Sequence, residues 1–283
     1  MPPSFFADAA LVRRIEDAEA RLAEAGGRAA QRRRDDALVT PVSGGVAVFT
    51  GDASPFDKVA GLGFEPFDEA AFARHEATVL ARGGAVQVEL STRADPNVAQ
   101  TLSTRGYVLT AFEDVLALRL ATATDARSAP DAIDVRPAAP NEIDTWIDTL
   151  LTGFAHADDQ GVASHESFPR DAVARAMCDL LSTPGTTPYL ARRDGVVVGG
   201  ASVRVCGTVA QLAGAATLPA HRRSGVQAAL TEARLADAAR AGAEIATITT
   251  LPGSKSQENA LRRGFSVLYT RAVLIKAVAT PGG

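Results

Sequence analysis

The sequence predicts a mixed α/β fold that is built twice along the chain, and three observations support this. Short apolar segments with strand spacing alternate with longer segments whose apolar residues recur at helix spacing. Two sequence patterns each occur again at one common distance along the chain. A small, polar segment at 121–132 lies between the copies and has the composition of a linker. We therefore predict one domain at 1–120 and a second at 133–278.

The repeated patterns are 158 residues apart. The segment STRGYVL at 103–109 resembles LRRGFSV at 261–267. The segment ARGGAVQVEL at 81–90 resembles ARAGAEIATI at 239–248. Because both matches share one offset, they indicate a duplicated fold, although either match alone would be weak.

The first half begins with an amphipathic helix, since Leu11, Ile15, Ala18 and Leu22 fall on one helix face. The Gly26-Gly27 pair is predicted to end or weaken this helix. Turn residues and apolar spacing then predict the remaining elements of this half. The first is a hairpin formed by strands at 37–42 and 46–50, which turns at Ser43-Gly44-Gly45. A helix at 68–82, a strand at 85–90, a helix at 96–104 and a last strand that ends near residue 120 follow.

The segment 212–230, LAGAATLPAHRRSGVQAAL, is the most informative part of the second half. A strand of small residues runs into Pro219, and the basic turn Arg222-Arg223-Ser224-Gly225 follows. An amphipathic helix then begins, with its small or apolar face formed by Val226, Ala229, Leu230, Ala233 and Ala236. A strand, a basic turn with glycine and a helix N-terminus together form an anion site, because backbone N–H groups and the helix dipole favour negative charge there.

Two familiar phosphate sites are excluded by the residues of this turn. The loop of nucleoside-triphosphate-binding proteins needs Gly-Lys-Ser/Thr, which the chain lacks. The dinucleotide-binding fingerprint needs three spaced glycines at the start of the helix, and only Gly225 is present.

The remaining pattern, Arg222-x-x-Gly225-x-Gln227 preceded by Thr217-x-Pro219, resembles motif A of the GNAT superfamily of acetyl-CoA-dependent N-acetyltransferases. Gln227 departs from the small residue that is usual at the last position. Gly264-Phe265 resembles the helix end and strand start that follow the cofactor site in this family. The resemblance covers about 133–276, where 133–138 resembles the first strand and a helix follows from about residue 141.

The resemblance implies two GNAT-like domains, each a mixed, mostly antiparallel sheet flanked by helices. It also implies a cofactor site in the C-terminal domain. The pantetheine arm of acetyl-CoA would bind along the strand, the pyrophosphate would bind at the turn, and a backbone N–H near Thr217 or Leu218 would stabilise the oxyanion. The implied cofactor-binding residues are Ala215, Ala216, Thr217, Arg222, Arg223, Ser224, Gly225, Val226, Gln227 and Ser256.

The catalytic residues are not determined by the resemblance. Family members often have a glutamate on the strand before the turn, and 208–218 contains no carboxylate. The alternative bases lie in one segment, although a solvated polar loop is the better explanation for any single one of them. They are His156, Asp158, Asp159, His165 and Glu166. Ala260 occupies the position of the family's tyrosine acid. Tyr269, on the next strand, could replace that acid or could simply be a packed strand residue.

The first copy lacks the basic turn. The offset of 158 aligns Gly63-Phe64-Glu65-Pro66-Phe67 with the Arg222 turn, so an acidic Glu65 lies where phosphate would bind. We therefore expect a degenerate N-terminal domain without a cofactor. We also expect the two halves to pack into one body in which the N-terminal half partly closes the C-terminal cleft.

Composition limits the remaining function classes. The 283 residues include 46% hydrophobic residues and have a net charge of −4, which does not favour nucleic-acid binding. Two cysteines predict neither a disulfide framework nor a metal site. The chain shows no secretory signal and no membrane span, so a cytoplasmic protein is expected. The acceptor and the oligomeric state are not readable from the sequence. Two functions stay open, an N-acetyltransferase acting on a primary amine and a non-catalytic acyl-CoA-binding or regulatory module.

Overall fold

The computed structural model describes residues 6–51, 53–120, 133–156, 162 and 168–278. The predicted linker at 121–132 lies outside the described residues. The described helices are α1 (Ala9–Gln31), α2 (Glu69–Ala81), α3 (Pro96–Thr104), α4 (Ile143–Ala155), α5 (Arg170–Leu181), α6 (Val226–Arg240) and α7 (Lys255–Arg262). The described strands are β1 (Leu38–Val42), β2 (Gly45–Phe49), β3 (Val59–Ala60), β4 (Val86–Ser91), β5 (Val108–Arg119), β6 (Asp134–Pro137), β7 (Thr186–Arg193), β8 (Val196–Cys206), β9 (Val209–Thr217), β10 (Ile245–Thr250) and β11 (Ser266–Lys276).

The described strands form one mixed sheet of eleven strands. Their order is β1-β2-β3-β4-β11-β5-β10-β9-β8-β7-β6. The pairs β3/β4 and β9/β10 are parallel, and the other neighbours are antiparallel. The predicted mixed, mostly antiparallel α/β architecture is therefore confirmed.

The two halves exchange their last strands. Strand β11 of the C-terminal half lies between β4 and β5, and β5 of the N-terminal half lies between β11 and β10. At the centre of this exchange Glu113 on β5 pairs in register with Arg271 on β11. These two residues are 158 positions apart, so the approximate twofold axis that relates the halves passes through this pair.

Helices cover both faces of the sheet. Successive side chains of a strand point to opposite faces of the sheet. Val209 and Ile245 accordingly pack with α1 on one face, whereas Ala210 and Ala246 pack with α6 on the other. Helices α4 and α5 lie on the same face as α1, while α2 and α3 share the face of α6 and α7. Within the part of the chain that the structure describes, no helix has the length and apolarity needed to cross a bilayer.

The predicted elements of the first half are present with small changes at their ends. The β1–β2 hairpin turns at Ser43 and Gly44, which both have positive φ. Helix α3 ends where the N–H of Tyr107 bonds to the carbonyl of Leu102, and α7 ends where the N–H of Phe265 bonds to the carbonyl of Ala260. Both bonds lie at the offset of 158, so the two copies share the same helix ending.

Gly26 and Gly27 do not end α1, which was one of the two expectations for this pair. The helix continues through both residues to Gln31. A Cβ atom on Gly26 would lie 2.7 Å from the ring of Phe56, and one on Gly27 would lie 2.7 Å from Val48. The glycines therefore allow α1 to approach the β1–β2 hairpin and the segment before β3. This close approach depends on residues far away in sequence.

A buried group of charged residues joins α1 to the exchanged strands. The Nε of Arg271 donates to Oε1 of Glu16 over 2.8 Å, and both side chains are almost fully buried. Glu19 and Glu89 lie within 4.0 Å of the Arg271 guanidinium, and Lys58 binds both of these carboxylates. We call these five residues the Arg271 cluster. Burial raises the pKa of Glu16, and the positive charge of Arg271 opposes that shift.

The Arg271 cluster yields a prediction about stability. Arg271→Leu should lower the free energy of unfolding by about 3–5 kcal/mol, because removal of one partner leaves buried carboxylates uncompensated. Arg14→Leu is a matched control, since Arg14 also binds across the halves to Glu244 but through an exposed pair. We expect the control to lose less than about 1 kcal/mol in urea unfolding. Similar losses for both variants would contradict the importance of the cluster.

Candidate functional site

A deep cleft opens where β9 and β10 separate. The two strands pair only from Val209 with Ile245 to Gln211 with Thr247, and beyond these residues they diverge. The cleft has a volume of about 890 Å³. It is lined by β9, by the turn and first helical turns of α6, by α7 and by Gly153 and Phe154 of α4.

Nine of the ten residues that the sequence predicts for cofactor binding line this cleft. They are Ala215, Ala216, Thr217, Arg222, Arg223, Gly225, Val226, Gln227 and Ser256. Ser224 does not line the cleft. Its hydroxyl donates to the carbonyl of His221, and its carbonyl accepts from Arg193. Ser224 therefore stabilises the turn through hydrogen bonds on the side away from the cleft.

The turn before α6 has a left-handed backbone at two positions. Arg223 has φ +59° and Gly225 has φ +86°. Positive φ is costly for arginine, and such strain is concentrated at functional sites. Gly225 is the N-cap residue and supplies no side chain, so the first N–H groups of α6 have no side-chain cap. The first turn of α6 therefore presents N–H groups and the positive end of a helix dipole toward the cleft.

Arg222 has a structural partner in addition to its place in the cleft. Its Nη2 donates to the carbonyls of Gly153 and His156 at the end of α4. Arginine suits this position because the C-terminus of a helix is the negative end of its dipole. The first residue of the predicted motif thus links the turn to α4.

The main chain of β9 offers hydrogen-bonding groups to the cleft. The N–H of Leu218 donates to the carbonyl of Val198, so that amide is committed to β8. Alternation in the antiparallel ladder turns the N–H of Thr217 toward the cleft instead. An extra residue in β9 forms a bulge near Gly214, which has φ +47°. Of the two predicted oxyanion donors, only Thr217 is therefore oriented to the cleft.

Helix α7 forms the opposite side of the cleft, and most of its contribution was not predicted from the sequence. Lys255, Asn259, Arg262 and Arg263 line the cleft together with the predicted Ser256. The Nδ2 of Asn259 donates to Oε1 of Gln227 over 2.6 Å, so the unusual Gln227 joins α6 to α7. The only sequence signal for these residues was the position of their helix before Gly264-Phe265.

Ala260 also lines the cleft, at the position where the resemblance places a tyrosine acid. The substitute that the sequence offered for it, Tyr269, lies elsewhere. Its hydroxyl is buried on the α1 face of the sheet and donates to Glu16 over 2.6 Å. Burial and the charge of Glu16 raise the pKa of Tyr269 well above its ordinary value. Tyr269 is therefore a member of the buried core beside Arg271, because β11 is drawn into the exchanged centre of the sheet.

The candidate bases are only partly described. His156 is exposed at the end of α4, with Nδ1 2.9 Å from the carbonyl of Thr152. Its own carbonyl binds Arg222, which places it near the cleft. Asp158, Asp159, His165 and Glu166 lie outside the described residues. Among the residues that are described, no three His, Cys, Asp or Glu side chains form a group that could hold a metal ion.

One carboxylate reaches β9 from the N-terminal half. Gln211 lies where β9 and β10 separate, and its Nε2 donates to Oε2 of Glu19 over 3.1 Å. Burial acts to raise the pKa of Glu19, but Lys58 and Arg271 lower that pKa to about 2. Glu19 therefore remains ionised at neutral pH and has little affinity for a proton, which is unsuitable for a general base.

The corresponding turn in the N-terminal half is occupied by protein contacts. The carbonyl of Gly63 accepts from the N–H of Asp95, and a Cβ atom on Gly63 would lie 2.4 Å from Ala94. Glu65 binds Arg13 of α1. Asp68 caps α2 by accepting from the N–H of Ala71, whereas Gly225 leaves α6 without such a cap. A carboxylate thus occupies the helix N-terminus that an anion would need.

Comparison with known proteins finds a family match within the C-terminal half. Residues 153–265 match a family model described as the acetyltransferase (GNAT) family, so the resemblance found in the sequence is confirmed. A GCN5-related N-acetyltransferase from Kribbella flavida is 25% identical, with a TM-score of 0.62 over 93% of this chain and 96% of its own. The comparison with curated proteins returned no match.

The duplicated architecture also has a structural counterpart. A tandem GNAT protein from the clavulanic acid biosynthesis pathway is 12% identical and aligns with a TM-score of 0.61 over 99% of this chain and 98% of its own. A GCN5-related N-acetyltransferase from Sphaerobacter thermophilus is 14% identical, with a TM-score of 0.58 over 84% and 74% of the two chains. At these identities the likeness concerns the fold, and it agrees with two GNAT-like domains.

The position of Tyr269 leads to a prediction. Tyr269→Phe should lower the free energy of unfolding by about 1–3 kcal/mol, because buried Glu16 loses a hydrogen-bond donor. If the chain transfers acetyl groups from acetyl-CoA, the variant should do so at a rate and with an affinity for coenzyme A close to those of the unmodified protein. Loss of a committed general acid would instead reduce the rate by a factor of about a hundred or more. Denaturant unfolding and steady-state kinetics on the same preparation separate these outcomes.

Proposed function

We propose that this protein is an N-acetyltransferase that transfers the acetyl group of acetyl-CoA to a primary amine of a small molecule or a protein. Two features support it best, and both lie within the residues that match the acetyltransferase family. Strands β9 and β10 separate and leave a cleft between them, and the N-terminus of α6 has no side-chain cap. A long thioester with a pyrophosphate fits such a cleft, because one end needs N–H groups and positive charge and the other needs an unpaired strand edge.

Different residues of the cleft would bind different parts of acetyl-CoA. Arg223 and the first N–H groups of α6, from Gly225 onward, would hold the pyrophosphate. Ala215, Ala216 and Thr217 would bind the pantetheine arm as an added strand, with the Thr217 N–H near the thioester oxygen. Ser256 would contact the arm from α7. The cavity of about 890 Å³ has the size range of cofactor sites.

The described residues of the cleft include no obvious group for proton transfer. A lysine-like amine has a pKa near 10.4, so about one molecule in a thousand is the free base at neutral pH. A base or a water chain is therefore expected. His156 and Glu166 are the candidates that we retain. The carbonyl of His156 accepts from Arg222 of the cleft, and Glu166 belongs to the sequence segment that follows α4.

Departure of the thiolate needs less catalytic assistance than deprotonation of the amine. An ordinary thiol has a pKa near 8.5, so the leaving group can depart without a dedicated acid, at some cost in rate. With Ala260 at the family's tyrosine position, we propose that solvent or backbone N–H groups assist this step.

A non-catalytic acyl-CoA-binding or regulatory module is the second candidate. One observation favours it. The described residues that line the cleft include no carboxylate, imidazole, phenol or thiol. The enzyme remains our preferred function because the imidazole-bearing His156 is attached through its carbonyl to Arg222, which lines the cleft.

We also propose that the chain has two domains, at 1–120 and 133–278, which are joined by a linker at 121–132. The N-terminal domain binds no acetyl-CoA. The protein acts in the cytoplasm on an amine-bearing acceptor and uses no metal. The occupied turn of the N-terminal half and the cap by Asp68 support the assignment of a single cofactor site.

Binding of the cofactor can be tested at Gly225. Gly225→Glu should abolish measurable binding of coenzyme A in calorimetry, because a bulky anion would obstruct and repel the pyrophosphate. Gly242→Glu is the matched control, since Gly242 has φ +87°, lies just after α6 and has open space around its Cα. Both variants impose the same backbone strain, so unchanged affinity in Gly225→Glu would show that the assigned site is wrong.

Catalysis can be tested by the release of free thiol from acetyl-CoA across a panel of primary amines. Turnover above the rate of hydrolysis with any amine is the expected result. We expect the rate to rise between pH 6 and pH 9, because the free-base fraction of the amine increases tenfold per pH unit below its pKa. Binding of acetyl-CoA without turnover for every amine would favour the non-catalytic module.

A further inference from the structure

We infer that the N-terminal half fixes one side of the cofactor cleft through Asp114, which acts as a positioning residue for helix α7. The inference rests on the proposed function, because it concerns how the cleft binds coenzyme A. It assigns a role to a domain that has no cofactor turn of its own.

Asp114 lies on β5, at the point where this strand of the N-terminal half crosses into the C-terminal part of the sheet. It pairs in register with Thr250 of β10 on one side and with Thr270 of β11 on the other. Both oxygens of its carboxylate are used. Oδ1 accepts from the hydroxyl of Thr270 over 2.6 Å, and Oδ2 accepts from Nε2 of Gln257 over 2.6 Å.

Gln257 is itself held at the start of α7. Its Oε1 accepts from the N–H of Gly253 over 2.7 Å, which leaves Nε2 to face Asp114. Its backbone N–H donates to Oγ of Ser254, the N-cap of the helix. The first turn of α7 is therefore attached to β5 by one side chain that is oriented at both ends.

Helix α7 needs such an attachment. It has eight residues, and among them only Ala260 is buried. A helix of this length is not stable by itself in water, and little apolar packing holds this one to the sheet. The hydrogen bond to a charged carboxylate is stronger than one between neutral groups, so Asp114 is well suited to fix the helix.

The attachment reaches the cofactor turn. Ser256 and Asn259 of α7 line the cleft, and Asn259 donates to Gln227 in the first turn of α6. Hydrogen bonds thus run from Asp114 through Gln257 to α7, and from Asn259 to the helix whose N-terminus would hold the pyrophosphate. A shift of α7 away from β5 would widen the cleft on this side.

The other half lacks the same arrangement. At the offset of 158 the counterpart of Asp114 is Ala272, and the counterpart of Gln257 is Ala99 on α3. Helix α3 is held instead by the buried side chains of Val98 and Leu102. The polar attachment is therefore present on the helix that borders the open cleft and is replaced by apolar packing on the helix beside the occupied turn.

The test is a double-mutant cycle on the full-length protein, read by calorimetry with coenzyme A. Asp114→Ala and Gln257→Ala should each weaken binding about tenfold, since each removes a charge-assisted hydrogen bond. The double variant should bind no more weakly than the weaker single variant, because both act through one contact. In kinetics, Asp114→Ala should raise KM for acetyl-CoA and change kcat less than about twofold.

Asp95→Ala is the matched control. Asp95 caps α3, the counterpart of α7, by accepting from the N–H of Asn97, and it does not border the cleft. Its loss should lower the thermal unfolding temperature without changing the affinity for coenzyme A. If Asp114→Ala does not fold, Asp114→Asn keeps the shape and should weaken binding by a smaller factor, because the amide keeps one acceptor oxygen but loses the negative charge and the second acceptor.

Three results would overturn the inference. These are unchanged affinity in the Asp114 variants, additive losses in the cycle, and an equal loss of affinity in Asp95→Ala. Each of them leaves the proposed function intact, provided that the unmodified protein binds coenzyme A. Absence of binding by the unmodified protein would instead contradict the proposed function, and with it this inference.

Discussion

The ion pair between Arg271 and Glu16 is the interaction on which the arrangement of the two halves depends. Arg271 lies on β11, which belongs to the C-terminal half in sequence but pairs with β4 and β5 in the sheet. Glu16 lies on α1, and burial of either charge without the other would cost several kcal/mol. The pair is satisfied only when β11 occupies the centre of the sheet, so it favours the exchanged strand order over two separate sheets. We regard this as specificity as much as stability, because a buried ion pair adds little net free energy over an apolar core.

The exchange places the two halves in unequal roles. Each half has a pair of parallel strands connected by a helix, but the two helix N-termini differ in chemistry. The N-terminus of α2 is capped by Asp68, whereas that of α6 begins at Gly225 and faces a cavity. The N-terminal half completes the sheet beside β10 and supplies Asp114 to α7. Because the sheet is continuous, one half can lose its own cleft and still shape the cleft of the other.

The cleft is better equipped to bind than to transfer protons. Its described lining consists of backbone groups, small and large apolar side chains, amides, hydroxyls and cations, which suit an anionic ligand with an extended arm. The phenol that the sequence offered as an acid is held by Glu16 on the opposite side of β11, and the carboxylate that reaches β9 has its proton affinity lowered by Lys58 and Arg271. A thiolate is a good leaving group, so an acid is dispensable, but an amine with a pKa near 10.4 still has to lose a proton. The described lining of the cleft supplies no carboxylate, imidazole, phenol or thiol to accept that proton.

The sequence by itself determined many of the local elements and the basic turn with glycine before α6, because these depend on short-range rules. Apolar spacing, turn residues and the helix ending at Gly264-Phe265 act within a few residues. Most elements of the first half and the strand, turn and helix of 212–230 were therefore predictable, and nine of the ten residues expected at the site line one cleft. Contacts between distant segments decided the rest. The continuation of α1 through Gly26 depends on Phe56, the position of Tyr269 depends on the exchanged β11, and the attachment of α7 depends on Asp114, which is 143 residues before Gln257. No local pattern encodes these contacts, because each arises from burial and charge compensation that exist only once the two halves share one sheet.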